Sequence, residues 1–124
     1  MVQALQTIVS RNRNPMDQLV ISTTQIHTGT TDNVIPETCY INGTVRTFDK
    51  DVQAMVLRRM KEIVAGTAAT FGLQAEMDFE FGYPPTVNDA GKADFAANVA
   101  REVAGETGVN SDIDPVMGAE DFSY

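Results

Sequence analysis

The fold is read from Leu19-Val20-Ile21-Ser22-Thr23-Thr24-Gln25-Ile26, then His27-Thr28-Gly29-Thr30-Thr31-Asp32-Asn33, then Thr38-Cys39-Tyr40-Ile41-Asn42-Gly43-Thr44-Val45-Arg46-Thr47-Phe48. The first run is rich in Val, Ile and Thr, whose branched side chains suit a pleated surface, so it is expected to be a strand. The second run holds Gly, Asp and Asn, residues that take up turn geometry, and is expected to be a loop carrying His27. The third run alternates. Cys39, Ile41 and Val45 fall on one side and Tyr40, Asn42, Thr44 and Arg46 on the other, which predicts a second strand over 38–48. If the intervening loop closes a hairpin, the two strands run antiparallel.

Before this hairpin, Val2, Leu5, Ile8 and Val9 recur at helical spacing, and Pro15 disfavours helical geometry at the residue before it, so a first helix should end by Asn12 to Asn14. After it, Asp49 is a fitting N-cap for a long helix whose stripe is Val52, Val56, Met60, Ile63, Val64 and Phe71, with Arg58, Lys61 and Glu62 turned away. Gly72 suits the C-terminal cap. Leu73, Ala75, Met77, Phe79, Phe81 and Tyr83 then alternate with Gln74, Glu76, Asp78 and Glu80, which predicts a strand with one apolar and one acidic face, ended by Pro84-Pro85. A last helix over 92–104 carries Phe95, Val99 and Val103 at spacing four. The order helix, strand, strand, helix, strand defines an α+β, ferredoxin-like unit: an antiparallel sheet with helices on one face and its first strand missing.

The chain has 124 residues, room for one small domain, and its 9 Lys+Arg against 17 Asp+Glu give a formal charge of −8. That balance argues against nucleic acid as a partner, since such binding rests on Lys and Arg releasing counterions from phosphates. No apolar run approaches the roughly 20 residues of a membrane span, so no membrane partner is expected. Cys39 is the single cysteine and cannot bridge within the chain. With no recognisable leader, the expected compartment is the cytoplasm. No capping residue precedes Val2, and Phe122-Ser123-Tyr124 closes the chain without a polar tail, so the sequence is expected to be a segment of a longer protein.

Chemistry-bearing residues are few. His27 is the only histidine, and one imidazole assembles neither a zinc site nor a Ser-His-Asp triad. Cys39 reads as a small buried side chain on the apolar face of its strand. Glu120-Asp121 stands beside Gly118, where paired carboxylates serve acid/base or metal chemistry or simply face solvent. Arg46 places a rigid guanidinium fork on the polar face of its strand, suited to a carboxylate ligand or to solvent.

Thr24-Gln25-Ile26-His27-Thr28-Gly29-Thr30-Thr31-Asp32-Asn33-Val34-Ile35-Pro36, followed by Gly43-Thr44-Val45-Arg46-Thr47-Phe48, resembles the lid (dimerisation) domain of the metal-dependent amidohydrolases that include hippurate hydrolase, the N-acyl-amino-acid amidohydrolases (aminoacylases) and the indole-acetyl-amino-acid hydrolases. Gly82-Tyr83-Pro84-Pro85-Thr86-Val87-Asn88-Asp89 resembles the return into their catalytic domain, and Met117-Gly118-Ala119-Glu120-Asp121-Phe122 their glycine-acid loop. The resemblance implies a lid over 1–84 and the start of the C-terminal catalytic segment over 85–124. It implies hydrolysis of the amide bond of N-acyl amino acids, hippurate-like substrates among them, with divalent metal ions (zinc, manganese or cobalt) in the intact enzyme and none held by this segment. It also implies a homodimer through the lid. Asn33 and Arg46 match residues that hold the substrate carboxylate from the neighbouring subunit, Glu120 matches a pocket-lining position, and His27, in the family's loop, is grouped with these substrate-binding residues without a role of its own. No catalytic base or metal ligand is carried over. The competing expectation is a free-standing ferredoxin-like module that binds a small ligand or a protein without catalysis.

Overall fold

The two central runs form the hairpin that their composition predicts. In the computed structural model, which describes residues 1–124, β1 (Leu19–Thr28) pairs antiparallel with β2 (Cys39–Thr47). The ladder matches Leu19 with Thr47, Ile21 with Val45, Ile26 with Ile41 and Thr28 with Cys39, and shifts register between Thr23 and Gln25. Thr24 is the extra residue of a β-bulge, which preserves the faces on either side of it. One face carries Leu19, Ile21, Ile26, Ile41 and Val45; the other carries Val20, Ser22, His27, Tyr40, Asn42, Thr44 and Arg46.

Two helices cover the first face at one end only. α1 (Val2–Thr7) continues as a π-turn over Ile8–Asn12, and α2 spans Lys50–Thr70. The core is small: Leu5 and Ile8, Leu19 and Ile21, Val52 and Val56, with Val9, Val45, Met55, Met60 and Ile63 packed around them. Ile8 and Val56 are fully buried. Gln6 Nε2 donates to the Ile21 carbonyl at 3.1 Å, which ties α1 to β1.

Local sequence explains where α2 begins and stops. The Asp49 carboxylate accepts from the Asp51 and Val52 amides at 2.7 and 3.0 Å, satisfying donors that the first helical turn leaves without partners. At the other end Gly72 takes φ +66°, with its own amide on the Ala69 carbonyl and the Leu73 amide on the Ala68 carbonyl at 2.9 Å. That pair of bonds is a Schellman cap, which favours glycine at the left-handed position. On the outer side of α2, Arg58 and Arg59 both bond Glu62.

Four expectations are corrected. Residues 73–83 form no ladder. In a βαββαβ sheet the last strand lies beside the first, and the strand pairing in this structure is β1 with β2 alone. Residues 73–83 therefore meet no backbone edge, although Phe79 and Phe81 still share a side, their ring centroids 5.2 Å apart. Phe71 is exposed rather than part of the α2 stripe, because the helix has ended at its position; Val52, Val56, Val64 and Ala68 are the buried members. Cys39 is exposed, because it pairs with Thr28 at the end of the hairpin that no helix covers. His27 lies in β1, not in a loop, since the ladder runs on through Thr28.

Chain contacts define two units, Met1–Phe81 and Gly82–Tyr124. The second contains α3 (Ala90–Ala104), capped by the Asp89 carboxylate on the Lys92 amide at 2.9 Å. α3 has no buried residue, and its stripe of Phe95, Val99 and Val103 stays exposed. Arg101 fastens the chain that follows, bonding Ser111 Oγ at 2.9 Å and pairing with Glu106.

Candidate functional site

The polar face of the hairpin carries two of the residues singled out above. Arg46 stands opposite Val20, near the helical end, and is half-buried. His27 stands opposite Tyr40, at the loop end, with the two rings stacked at 26° and 6.1 Å between centroids. Arg46 lies six steps along β2 from Tyr40, about 20 Å at the usual rise of a strand. One small ligand cannot touch both.

Asn33 belongs to the loop between the strands. Thr28 Oγ1 donates to the Thr38 carbonyl at 2.9 Å and closes the base of that loop, which Gly29 opens with φ +73°. The Asn33 Oδ1 atom accepts from Thr31 Oγ1 at 2.8 Å. Asn33 is therefore joined to the His27 end of the hairpin, the end away from Arg46. Glu120 lies in the second unit and precedes a short 3-10 turn, Asp121–Ser123, whose Ser123 amide reaches the Glu120 carbonyl at 3.2 Å. Its side chain faces solvent.

Tyr40 is the member of this surface that the sequence did not single out. Its contact with His27 follows from register, and the register depends on the bulge at Thr24, which strand alternation alone does not reveal. A shallow depression at the helical end of the hairpin is lined by Met16, Asp17, Gln18, Phe48 and Asp49. Asp49 is already committed there to capping α2.

The residues present do not fit a metal centre: no three His, Cys, Asp or Glu side chains stand close enough to hold an ion. Chemically, the chain offers a half-buried guanidinium on the polar strand face, a stacked imidazole and phenol, and an amide-bearing loop. Groups of this kind are suited to holding a carboxylate or amide by hydrogen bonds. No helix is long and apolar enough to cross a membrane.

The fold is of the α+β class, a two-stranded antiparallel hairpin with helices packed on one face. The chain belongs to the peptidase family M20/M25/M40, whose family model matches residues 3–124. Among individual relatives, it is 38% identical over 125 residues to an N-acetyldiaminopimelate deacetylase of Streptococcus sanguinis (strain SK36), covering 99% of this chain and 32% of that protein. It is 37% identical to an N-acetyl-L-cysteine deacetylase of Bacillus subtilis (strain 168), covering all of this chain and 29% of that protein. A crystal structure described as an aminohydrolase from methicillin-resistant Staphylococcus aureus superposes with a TM-score of 0.79 at 27% identity, over 99% of this chain and 31% of that one. The chain thus spans about a third of the length of the relatives it matches.

Proposed function

We propose that this chain is the lid and adjoining segment of a metal-dependent amidohydrolase that removes the acyl group from an N-acyl amino acid. The observation that carries the reading is the family match over residues 3–124 combined with relatives named as deacetylases of N-acetylated amino acids. Hippurate-like and short N-acetyl substrates share the feature the lid would read, a free carboxylate beside the scissile amide. Arg46 would receive that carboxylate as a bidentate, charge-assisted partner, and Asn33 would donate its amide N–H to it. Because the hairpin holds the two at opposite ends, convergence on one carboxylate asks for a second copy of the lid or for the loop to fold back along the strands. A homodimer through the lid supplies the first arrangement. In the intact enzyme Glu120 would line a substrate pocket, and His27, stacked on Tyr40, would contact substrate at the loop end of the hairpin.

Metal ions, zinc, manganese or cobalt, would be held by residues outside this chain and would supply the hydroxide-like nucleophile and charge stabilisation that amide hydrolysis needs. The exposed, unbridged Cys39 suits a reducing compartment, and the cytoplasm is the proposed location. The alternative, a free-standing binding module, is less well supported, since a stretch of residues 73–83 with a regular apolar side stays unpaired. The test is to assay the purified chain with each metal and an N-acyl amino acid, beside an enzyme in which this segment is the lid. The enzyme should release the free amino acid and the chain should not. Turnover by the chain itself would overturn the reading.

A further inference from the structure

Asn42-Gly43 is the only Asn-Gly pair in the chain, and it lies on the exposed side of β2. The Gly43 amide donates to the Asn42 Oδ1 atom at 2.7 Å, so the side-chain carboxamide is drawn against the backbone nitrogen that follows it. A small rotation about the side chain then presents the carboxamide carbon instead of the oxygen. Glycine leaves that nitrogen without a side chain to shield it. The position also cannot readily be anything else, since a Cβ at 43 would sit 2.2 Å from the Ser22 carbonyl oxygen. The bulge at Thr24 falls between the pairs Thr23–Gly43 and Gln25–Asn42, so the ladder is interrupted opposite this dipeptide.

We propose that Asn42-Gly43 is a self-modification site, at which the Gly43 nitrogen cyclises onto the Asn42 carboxamide and the ring reopens to aspartate or isoaspartate. The bond from Gly43 N to Asn42 Cγ forms as solvent removes the amide proton, and the bond from Cγ to the side-chain nitrogen breaks, releasing ammonia. Water then adds to one of the two ring carbonyls. The net change is one water in and one ammonia out, with no redox step. Either product puts a carboxylate on the face that carries Arg46. The iso form also adds a methylene to the main chain between Tyr40 and Arg46, which breaks the alternation that places those two on one face. Other asparagines turn their carboxamides elsewhere: Asn12 to Arg59, Asn14 to Met16, Asn33 to Thr31, Asn98 to Arg101 and Asn110 to Asp112. They serve as internal controls.

The folded chain is incubated at neutral and mildly alkaline pH at physiological temperature, digested, and read by mass spectrometry with isoaspartate detection. Asn42 should convert at least about tenfold faster than any other asparagine, equivalent to a barrier lower by about 1.4 kcal/mol. An ammonia-loss intermediate and an isoaspartyl product should appear. Asn42→Gln, whose cyclisation would require a larger ring, should abolish the signal without touching Gly43. Conversion led by Asn110 or another asparagine would overturn the proposal. So would an Asn42 that stays intact in the folded chain while the urea-denatured chain converts, because the ladder would then be protecting it.

Discussion

Gly43→Ala is the smallest change that should undo the hairpin. The added Cβ would lie 2.2 Å from the Ser22 carbonyl oxygen, 3.1 Å from its carbon and 3.2 Å from the Thr23 Cα, all of them backbone atoms. No rotamer relieves that contact, so β1 and β2 must part by at least 0.8 Å to reach the 3.0 Å that real Cβ atoms respect. A ladder bond lengthened that much is lost. Losing two such bonds at about 0.5–1.5 kcal/mol each, with about 1–3 kcal/mol for residual overpacking, gives a destabilisation of roughly 2–6 kcal/mol. Gly66→Ala makes the same chemical change in the interior of α2, where nothing lies within 4 Å. It should stabilise by about 0.5–1 kcal/mol, because it lowers the entropy lost on helix formation. Urea unfolding followed by circular dichroism separates the two variants. A Gly43→Ala midpoint equal to or above that of wild type would refute the register and the crowding argued from it.

Three further outcomes follow from the same structure. Asp49→Ala should cost about 0.5–2 kcal/mol by removing the acceptor at the start of α2, while Asp49→Asn should keep most of that stability; thermal melts of both variants check this. Glu62, held below its ordinary value of 4.5 by hydrogen bonds from Arg58 and then Arg59, is charged more readily folded than unfolded. Its contribution is therefore present above about pH 4.5 and is lost as pH falls through the depressed value, so Glu62→Gln should flatten the acid limb of a stability-pH curve; carbon-detected NMR titration should show the shift directly. The chain by itself should release no amino acid from N-acyl substrates under any of the three metals, measured by amine detection after metal loading.

What could be read in the sequence was local. The α2 boundaries follow from Asp49 and Gly72, each acting on amides or carbonyls a few residues away, and the hairpin follows from two strand-forming runs joined by a turn-forming loop. What could not be read depended on partners distant in the chain. The alternation from Leu73 to Tyr83 says which side chains share a face, yet a strand also needs a neighbouring edge, and 73–83 has none. The exposure of Cys39 and Phe71 follows from where the helices stop covering the sheet, which no pattern within a strand encodes. In the candidate site, strand alternation placed Arg46 on the polar face with Tyr40, but the bulge at Thr24 sets which β1 residue Tyr40 meets, and that residue is His27.

The central claim is that this lid reads a substrate carboxylate through Arg46, and steady-state kinetics of Arg46→Ala in the enzyme that carries this segment test it most directly. A charge-assisted bidentate contact is worth about 1.5–3 kcal/mol, so kcat/KM on an N-acyl amino acid should fall roughly 10- to 150-fold. Arg46→Lys should recover only part of the loss, because an ammonium lacks the fork. On the matching substrate whose carboxylate is replaced by a neutral amide, wild type and Arg46→Ala should be nearly equal. An equal loss on the acid and on the amide would contradict the account, because Arg46 would then be supporting the lid rather than reading the carboxylate.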